Sequence, residues 1–285
     1  MTDPHRTVWL VTNRASGSND LVSVDGLSAD LAGAGWPVFR TLCFPDEGVP
    51  SVAELKDAGN PLVAVFTGDG TANSVATALE GWDGQVLILP GGTQNLLARR
   101  MHGQADARAI VARLARGASR PVRIAAIGFA GGQALVDLLV GPGASWNTVR
   151  EAMREGDLPA IVGGAGEALR ESTGGIGVRC ADPALGSADG YPLVRLTPSH
   201  RGIQVDAYHA DNLRDFLAQS WAMLRRDFRQ GPHDRLGLID RLAMDKADES
   251  PLDVLVDGEP RQLGPRPEFT LRPFELDLLA THHGY

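Results

Sequence analysis

The sequence predicts an α/β domain built on a doubly wound parallel sheet, followed by a mostly antiparallel, β-rich domain. Three observations carry this. Residues 1–125 alternate short apolar runs with helix-spaced segments, the pattern of parallel βαβ units. Three glycine- or polar-rich turns, 13–17, 67–71 and 90–95, fall where those strands end, and open sheets of this kind bind ligands outside the carboxyl ends of their strands. Beyond about residue 125 the runs shorten and turns multiply.

In chain order, Val8–Val11 reads as a buried strand ending at Asn13-Arg14-Ala15-Ser16-Gly17. Leu21–Leu31 has helical apolar spacing. Val38–Leu42 is a second strand and Val52–Ala58 a short helix. Leu62–Phe66 is a third strand, and it runs into Thr67-Gly68-Asp69-Gly70-Thr71. Ala72–Leu79 places Val75, Ala78 and Leu79 on one helical face. Val86–Leu89 is a fourth strand, ending at Pro90-Gly91-Gly92-Thr93, and a further helix begins near Asn95. In the second half, Val122–Phe129, Ala134–Val140, Ile176–Cys180, Leu193–Leu196, Ile203–Tyr208, Leu236–Met244 and Leu252–Val256 read as strands. Asn147–Arg154 is helical. Leu213, Phe216, Leu217, Trp221, Leu224 and Phe228 form the stripe of an amphipathic helix. That stripe reads as core, with a membrane-lying helix as the alternative. The expected division is 1–125, 126–265, and a segment 266–285 in which Phe269–Leu279 returns to the first domain.

Composition excludes several classes. The 285 residues are 43% hydrophobic and 22% charged, a globular balance rather than a disordered one. No run approaches the roughly 18 apolar residues of a membrane span. MTDPHRTVWL carries an acid and a proline before its first apolar run and does not read as a secretory leader. Two cysteines, Cys43 and Cys180, build neither a disulfide framework nor a cysteine zinc site, which favours a reducing, cytoplasmic setting. The net charge of −8 argues against nucleic acid as a partner. Between Arg99 and Arg123 stand seven arginines and a single acid, Asp106. The plain reading is a solvated helix face; the sharper one is a patch for anionic headgroups or a nucleotide. The two lysines, Lys56 and Lys246, follow no glycine-rich loop, so a P-loop of the Walker type is excluded.

Three motifs carry chemistry. Gly68-Asp69-Gly70-Thr71 lies between a strand and a helix, where glycine lets the backbone approach and helix amides favour anions. Asp69 would repel a bare phosphate but suits a Mg2+ that bridges phosphate oxygens. In Leu89-Pro90-Gly91-Gly92-Thr93-Gln94-Asn95, Thr93 and Asn95 can donate to a phosphate or a base. Val256-Asp257-Gly258-Glu259 reads either as an Asp-Gly hairpin turn or as a carboxylate pair able to take a hydroxyl proton.

Taken together and in order, these motifs resemble the diacylglycerol kinase catalytic-domain family, which includes bacterial lipid kinases and sphingosine kinases. The family pattern is Asn-Pro-x-Ser/Ala-Gly, Gly-Gly-Asp-Gly-Thr, Leu-Pro-x-Gly-Thr-x-Asn and Asp-Gly-Glu; here it spans positions 13 to 259. The resemblance implies a doubly wound, NAD kinase-like α/β nucleotide domain and a β-sandwich domain. It implies ATP as donor, with Asn13, Ser16, Thr41, Thr67, Gly68, Asp69, Gly70, Thr71, Asn73, Gly92, Thr93 and Asn95 around it. It also implies Glu259 as general base, with Asp69 and Asp257 in the metal and phosphate machinery, and a lipid acceptor met at the inner face of the membrane. Homodimerisation is left open. Thr67 replaces the family's first glycine, Arg14 its proline, and Leu96 the aspartate of many members. His200-Arg201-Gly202-Ile203-Gln204 stands in for the Asp-Asp-Gly-Leu-Leu turn that holds a structural metal in many bacterial members, so that metal is not expected. A soluble-substrate kinase related to NAD kinase, or a nucleotide- or lipid-binding member without turnover, are the alternatives.

Overall fold

The computed structural model describes residues 6–13, 23–141, 177–209 and 234–282. The chain splits into two units, Met1–Ile124 with Pro273–Tyr285, and Ala125–Arg272. The helices expected at 147–154 and 213–228 lie outside the described residues, as does Ser16.

The first unit runs β1 (Val8–Asn13), α1 (Val24–Gly33), β2 (Val38–Phe44), α2 (Val52–Asp57), β3 (Leu62–Thr67), α3 (Asp69–Ala78), β4 (Gln85–Pro90), α4 (Leu96–His102), α5 (Ala107–Ala115) and β5 (Arg120–Val122). Its central strands are buried on both faces, as a covered parallel sheet requires. Alternation sorts their side chains. Leu62, Ala64, Phe66, Leu87 and Leu89 join Leu27 and Leu31 of α1 and Ile110, Val111 and Leu114 of α5 in one core. The intervening Val63, Val65 and Ile88 point to the other face, buried like Val75 of α3 and Leu97 and Met101 of α4. Side-chain caps start three helices: Ser23 on α1, Asp106 on α5, and on α2 a capping box of Ser51 and Glu54. Each such cap contributes about 1 kcal/mol.

The second unit contains β6 (Ala125–Phe129), β7 (Gly132–Ala134), β8 (Leu138–Gly141), β9 (Val178–Asp182), β10 (Ala184–Leu185), β11 (Leu193–Ser199), β12 (Gly202–Tyr208), β13 (Asp234–Ile239), β14 (Arg241–Lys246), β15 (Leu252–Val256), β16 (Glu259–Leu263) and β17 (Glu268–Pro273). They form two six-stranded sheets, ordered β10-β9-β14-β17-β6-β7 and β13-β12-β11-β8-β15-β16. Residues of both sheets, among them Ile127, Leu242 and Phe269 from one and Val194, Val205 and Val254 from the other, share a single core. That is a sandwich.

The final strand, β18 (Asp277–Ala280), joins the first sheet, ordered β2-β1-β3-β4-β18-β5. It is parallel to β4 and antiparallel to β5.

Three runs that read as single strands in the sequence, and the segment expected to return to the first domain, are each divided between sheets. Residues 122–129 separate into β5 and β6, 134–140 into β7 and β8, 236–244 into β13 and β14, and 269–279 into β17 and β18. The returning segment therefore begins at Pro273, while Glu268–Pro273 pairs with β14 in the second unit. An apolar run gives the period of a strand but not the sheet it enters, so a corner inside the run is invisible. The helix read as 72–79 starts earlier, at Asp69, because Gly68 is already its N-cap.

The arginines between 99 and 123 do not act as one free cluster. Arg108 pairs with Asp30, Arg123 bridges Glu275 and Asp277, and Arg113 donates to the carbonyl of His102. Each acid partner comes from a distant part of the sequence, which is why the run looked unbalanced. Among the described residues no helix is long and apolar enough to cross a membrane.

Candidate functional site

In the first unit the site is built from two turns at the carboxyl ends of β3 and β4. These strands are parallel, with Thr67 opposite Pro90, so the turns leave the sheet side by side. Their backbones are in close contact. A Cβ on Gly91 would stand 2.7 Å from the Thr67 nitrogen, and one on Gly92 would stand 2.5 Å from the Gly68 Cα. Real Cβ atoms do not come that close, so glycine is required at both positions.

Asp69 locks the turns together. One carboxylate oxygen accepts the amide of Asn95 at 2.8 Å and the other accepts the amide of Leu96. It thereby caps the start of α4 from outside that helix, where a negative charge meets the positive end of the helix dipole. Burial nevertheless outweighs these amides and raises the Asp69 pKa to about 6.

The second turn is also closed upon itself. Asn95 has a left-handed backbone (φ 54). Its side-chain oxygen accepts from the Gly92 amide at 2.7 Å, and its side-chain nitrogen donates to the Gly92 carbonyl at 2.6 Å. The Gly91 amide donates to the Thr67 carbonyl. Asn95, expected from the sequence beside a nucleotide, thus holds its own turn closed. The amides of Gly91, Gly92 and Asn95 are all engaged within the two turns. Thr93 remains exposed at its tip.

The first turn differs. Gly68 gives α3 no side-chain cap, so the Gly70 and Thr71 end of that helix is the natural anion site. Asn13, at the end of β1, donates to the Thr71 hydroxyl at 2.9 Å and ties a third strand end to it. Thr67 is accommodated: it is buried in the last position of β3 and its hydroxyl donates to the Gly68 carbonyl. Asn73 lies half-buried further along α3. Thr41 is not gathered here. It faces Leu10 on the edge strand β2, three residues before Phe44 ends that strand, or roughly 10 Å back.

Arg99 was visible in the sequence only as one of seven arginines. On α4, one turn after the capped end, burial draws its guanidinium pKa down while the Asp69 charge supports it. A half-buried cation beside the two turns is a group the motif pattern did not single out.

In the second unit, Asp257-Gly258 is the two-residue turn between β15 and β16, with both residues at positive φ (49 and 86) and Val256 paired with Glu259. This is the hairpin geometry that Asp-Gly favours. The Asp257 carboxylate is buried and accepts three amides, from Leu135 at 2.8 Å, Val136 at 2.7 Å and Asp137 at 2.9 Å. Its own amide donates to the Asp137 carbonyl. Burial, with the nearby Asp137 charge in the same direction, pushes its pKa up to about 7 against the opposing amides. The Asp257 carboxylate thus anchors the turn, and Glu259 stands half-buried beside it.

Among the described residues no group of three or more His, Cys, Asp or Glu side chains is arranged to hold a metal ion. Both oxygens of Asp69 are engaged, so the residues do not form a ready cage. A Mg2+ fits only as an ion carried largely by nucleotide phosphates, the usual manner of that ion. His200 and Arg201 form the exposed tip of the β11–β12 hairpin.

Residues 7–127 match the sequence model described as the diacylglycerol kinase catalytic domain. The resemblance drawn from the motifs is thereby borne out over the stretch that carries the Asn13, Asp69 and Asn95 turns. No curated protein matches. The structure is similar to a crystal structure of a Bacillus anthracis strain Sterne protein provisionally described as a diacylglycerol kinase, with TM-score 0.62, 16% identity and 98% of each chain covered. A crystal structure described as a diacylglycerol kinase from the same strain gives TM-score 0.60 at 16% identity, covering 96% of this chain and 97% of that one. At such identity the likeness establishes the fold, a mixed α/β architecture of several sheets shared with these proteins.

Proposed function

We propose that the protein is an ATP-dependent lipid kinase that phosphorylates a hydroxyl of diacylglycerol or a related lipid presented at a membrane surface. The observation that carries this reading is the uncapped start of α3 at the end of β3, inside the stretch that matches the kinase family. Phosphoryl transfer depends mainly on positioning and charge neutralisation, which a chain without a P-loop lysine can supply through backbone dipoles.

ATP, bound with Mg2+, would supply the transferable phosphoryl group. The Gly70 and Thr71 end of α3 would hold phosphate oxygens, with Asn13 fixing the Thr71 hydroxyl and Thr93 available from the neighbouring turn. Asp69 would serve this arrangement by locking the two turns. Arg99 would offset part of the negative charge. Glu259 would accept the hydroxyl proton as the lipid oxygen bonds to phosphorus and the bond to the ADP oxygen breaks.

The test is incubation of the purified chain with Mg2+, γ-labelled ATP and mixed micelles of diacylglycerol, monoacylglycerol, ceramide and sphingoid base, with NAD as a soluble control. Label in one extracted lipid is the expected result. Label in NAD alone would overturn the lipid reading in favour of a soluble-substrate kinase. ATP binding with no label anywhere would favour a member without turnover, a reading that the engagement of both Asp69 oxygens supports.

A further inference from the structure

We propose that Arg195 is a positioning residue for the Asp257-Gly258-Glu259 turn, acting through Asp137; the functional meaning of this rests on Glu259 being the general base. Nothing in the motif pattern marks either residue. Arg195 lies on β11, in register with Leu139 of β8 on one side and Asp206 of β12 on the other. Asp137 immediately precedes β8, two residues before Leu139. From that diagonal position its carboxylate takes two contacts from Arg195, Nε at 3.1 Å and Nη2 at 2.9 Å.

Both side chains are largely buried, 15% and 14% exposed. A buried ion pair is a poor source of stability, because desolvation cancels most of its Coulomb gain; its best-attested use is to fix one arrangement among several. What it fixes here is specific. The main chain of Asp137 donates to the Asp257 carboxylate and its carbonyl accepts the Asp257 amide. The Asp137 side chain thus determines where the Leu135–Asp137 amides sit, and those amides determine where the hairpin turn sits.

The charge arrangement also needs Arg195. Asp137 and Asp257 are neighbouring acids, and the former disfavours ionisation of the latter. Left alone, two carboxylates on adjoining turns would push apart. Arg195 supplies the opposite charge to the Asp137 carboxylate. Arg195 is in turn held from behind. Burial opposes its charge, while Asp137 and Asp206 sustain it. Asp206 is buried and bound by Gln204 at 2.6 Å, with Arg235 at 3.7 Å beyond it. The line Arg235, Asp206, Arg195, Asp137 alternates in sign and ends at the loop that clamps the turn.

The experiment compares amide hydrogen exchange in the full chain with its Arg195→Gln and Arg195→Lys variants. Arg195→Gln should speed exchange about tenfold at Leu135, Val136, Asp137 and Asp257, leave residues 8–124 as they were, and leave the other strands of the sandwich protected. Arg195→Lys, which keeps the charge but not the two-point contact, should fall between. Unchanged exchange in Arg195→Gln overturns the proposal. A rise throughout 125–272 also overturns it, since that marks a plain structural role.

Turnover supplies the second readout. Arg195→Gln should lower kcat about tenfold or more while the KM for ATP stays within about twofold. It should cost nothing further in a Glu259→Gln background. Additive losses would overturn the link to Glu259. If the unsubstituted chain labels no acceptor, the lipid-kinase reading fails by itself, while hydrogen exchange still decides whether Arg195 governs the turn.

Discussion

Asp69 and Asp257 can be set side by side. Each sits in an Asp-Gly turn at the end of a strand, each carboxylate is filled by backbone amides, and each has a pKa raised by burial. They differ in what they hold. Asp69 reaches the start of a helix and fastens one phosphate-loop candidate to another. Asp257 reaches a loop between two strands and fastens a turn whose next polar side chain is Glu259. In both cases the residue that looks reactive in the sequence is the clamp, and its neighbours are what it presents. The same chemistry thus serves a strand-to-helix turn in one unit and a hairpin turn in the other.

The largest effects should separate clamp from presented group. Glu259→Gln is expected to lower turnover by about 10²–10⁴ with ATP affinity unchanged. Asp69→Ala should weaken ATP binding itself, because both turns lose their tie. Labelled-lipid assays paired with nucleotide titration check this; equal loss of binding in both variants would break the division of labour.

Next come pH effects. The folded pKa values of Asp257 (about 7) and Asp69 (about 6) lie above the ordinary aspartate value of 3.8. The unfolded chain therefore releases these protons first. Their contribution to stability is greatest below about pH 4 and is lost as pH rises toward 6 for Asp69 and 7 for Asp257, by roughly 3–4 kcal/mol each at most. Asp257→Asn removes one titration, so the wild type should lose stability relative to the variant between pH 4 and 7 in urea unfolding. Parallel curves would refute the shift. His102 provides the opposite sign. It is buried, its Nδ1 lies 2.9 Å from the Thr281 hydroxyl, and burial lowers its pKa from 6.5 to about 4. Its contribution is intact above pH 6.5 and fades as pH falls toward 4, so His102→Asn should flatten acid lability.

Smaller effects sharpen the picture. Gly92→Ala inserts a Cβ against the Gly68 backbone and should cost about 1–3 kcal/mol with a matching loss of ATP affinity. Gly33→Ala, where nothing lies within 4 Å, is its control. Arg123→Ala removes two exposed ion pairs and should leave the melting temperature almost unchanged.

The strands and turns of the first unit were legible because buried parallel strands read as continuous apolar runs and their ends as glycine and polar clusters. The position of Asp69 was legible too. Its partners were not, since backbone amides 26 and 27 residues away carry no side-chain signature. The self-closing bonds of Asn95 were hidden for the same reason: a turn that bonds to itself has the same composition as one that bonds a ligand. Arg195 and Asp137 were silent because they are 58 residues apart and belong to no motif. In the second unit, sheet changes inside apolar runs hid four corners.

The placement of β18 affects how this protein comes into being. It is an interior strand of the first sheet, flanked by β4 and β5, and the amides of Thr281 and His282 both donate to the Met101 carbonyl. As the chain leaves the ribosome, the segment bearing Asn13, Asp69 and Asn95 appears early, yet its sheet has a vacant slot until residues 277–280 follow. The turns after β3 and β4 are thus made well before the strand that completes their sheet. A lesion in residues 277–280 therefore falls inside the sheet that carries them.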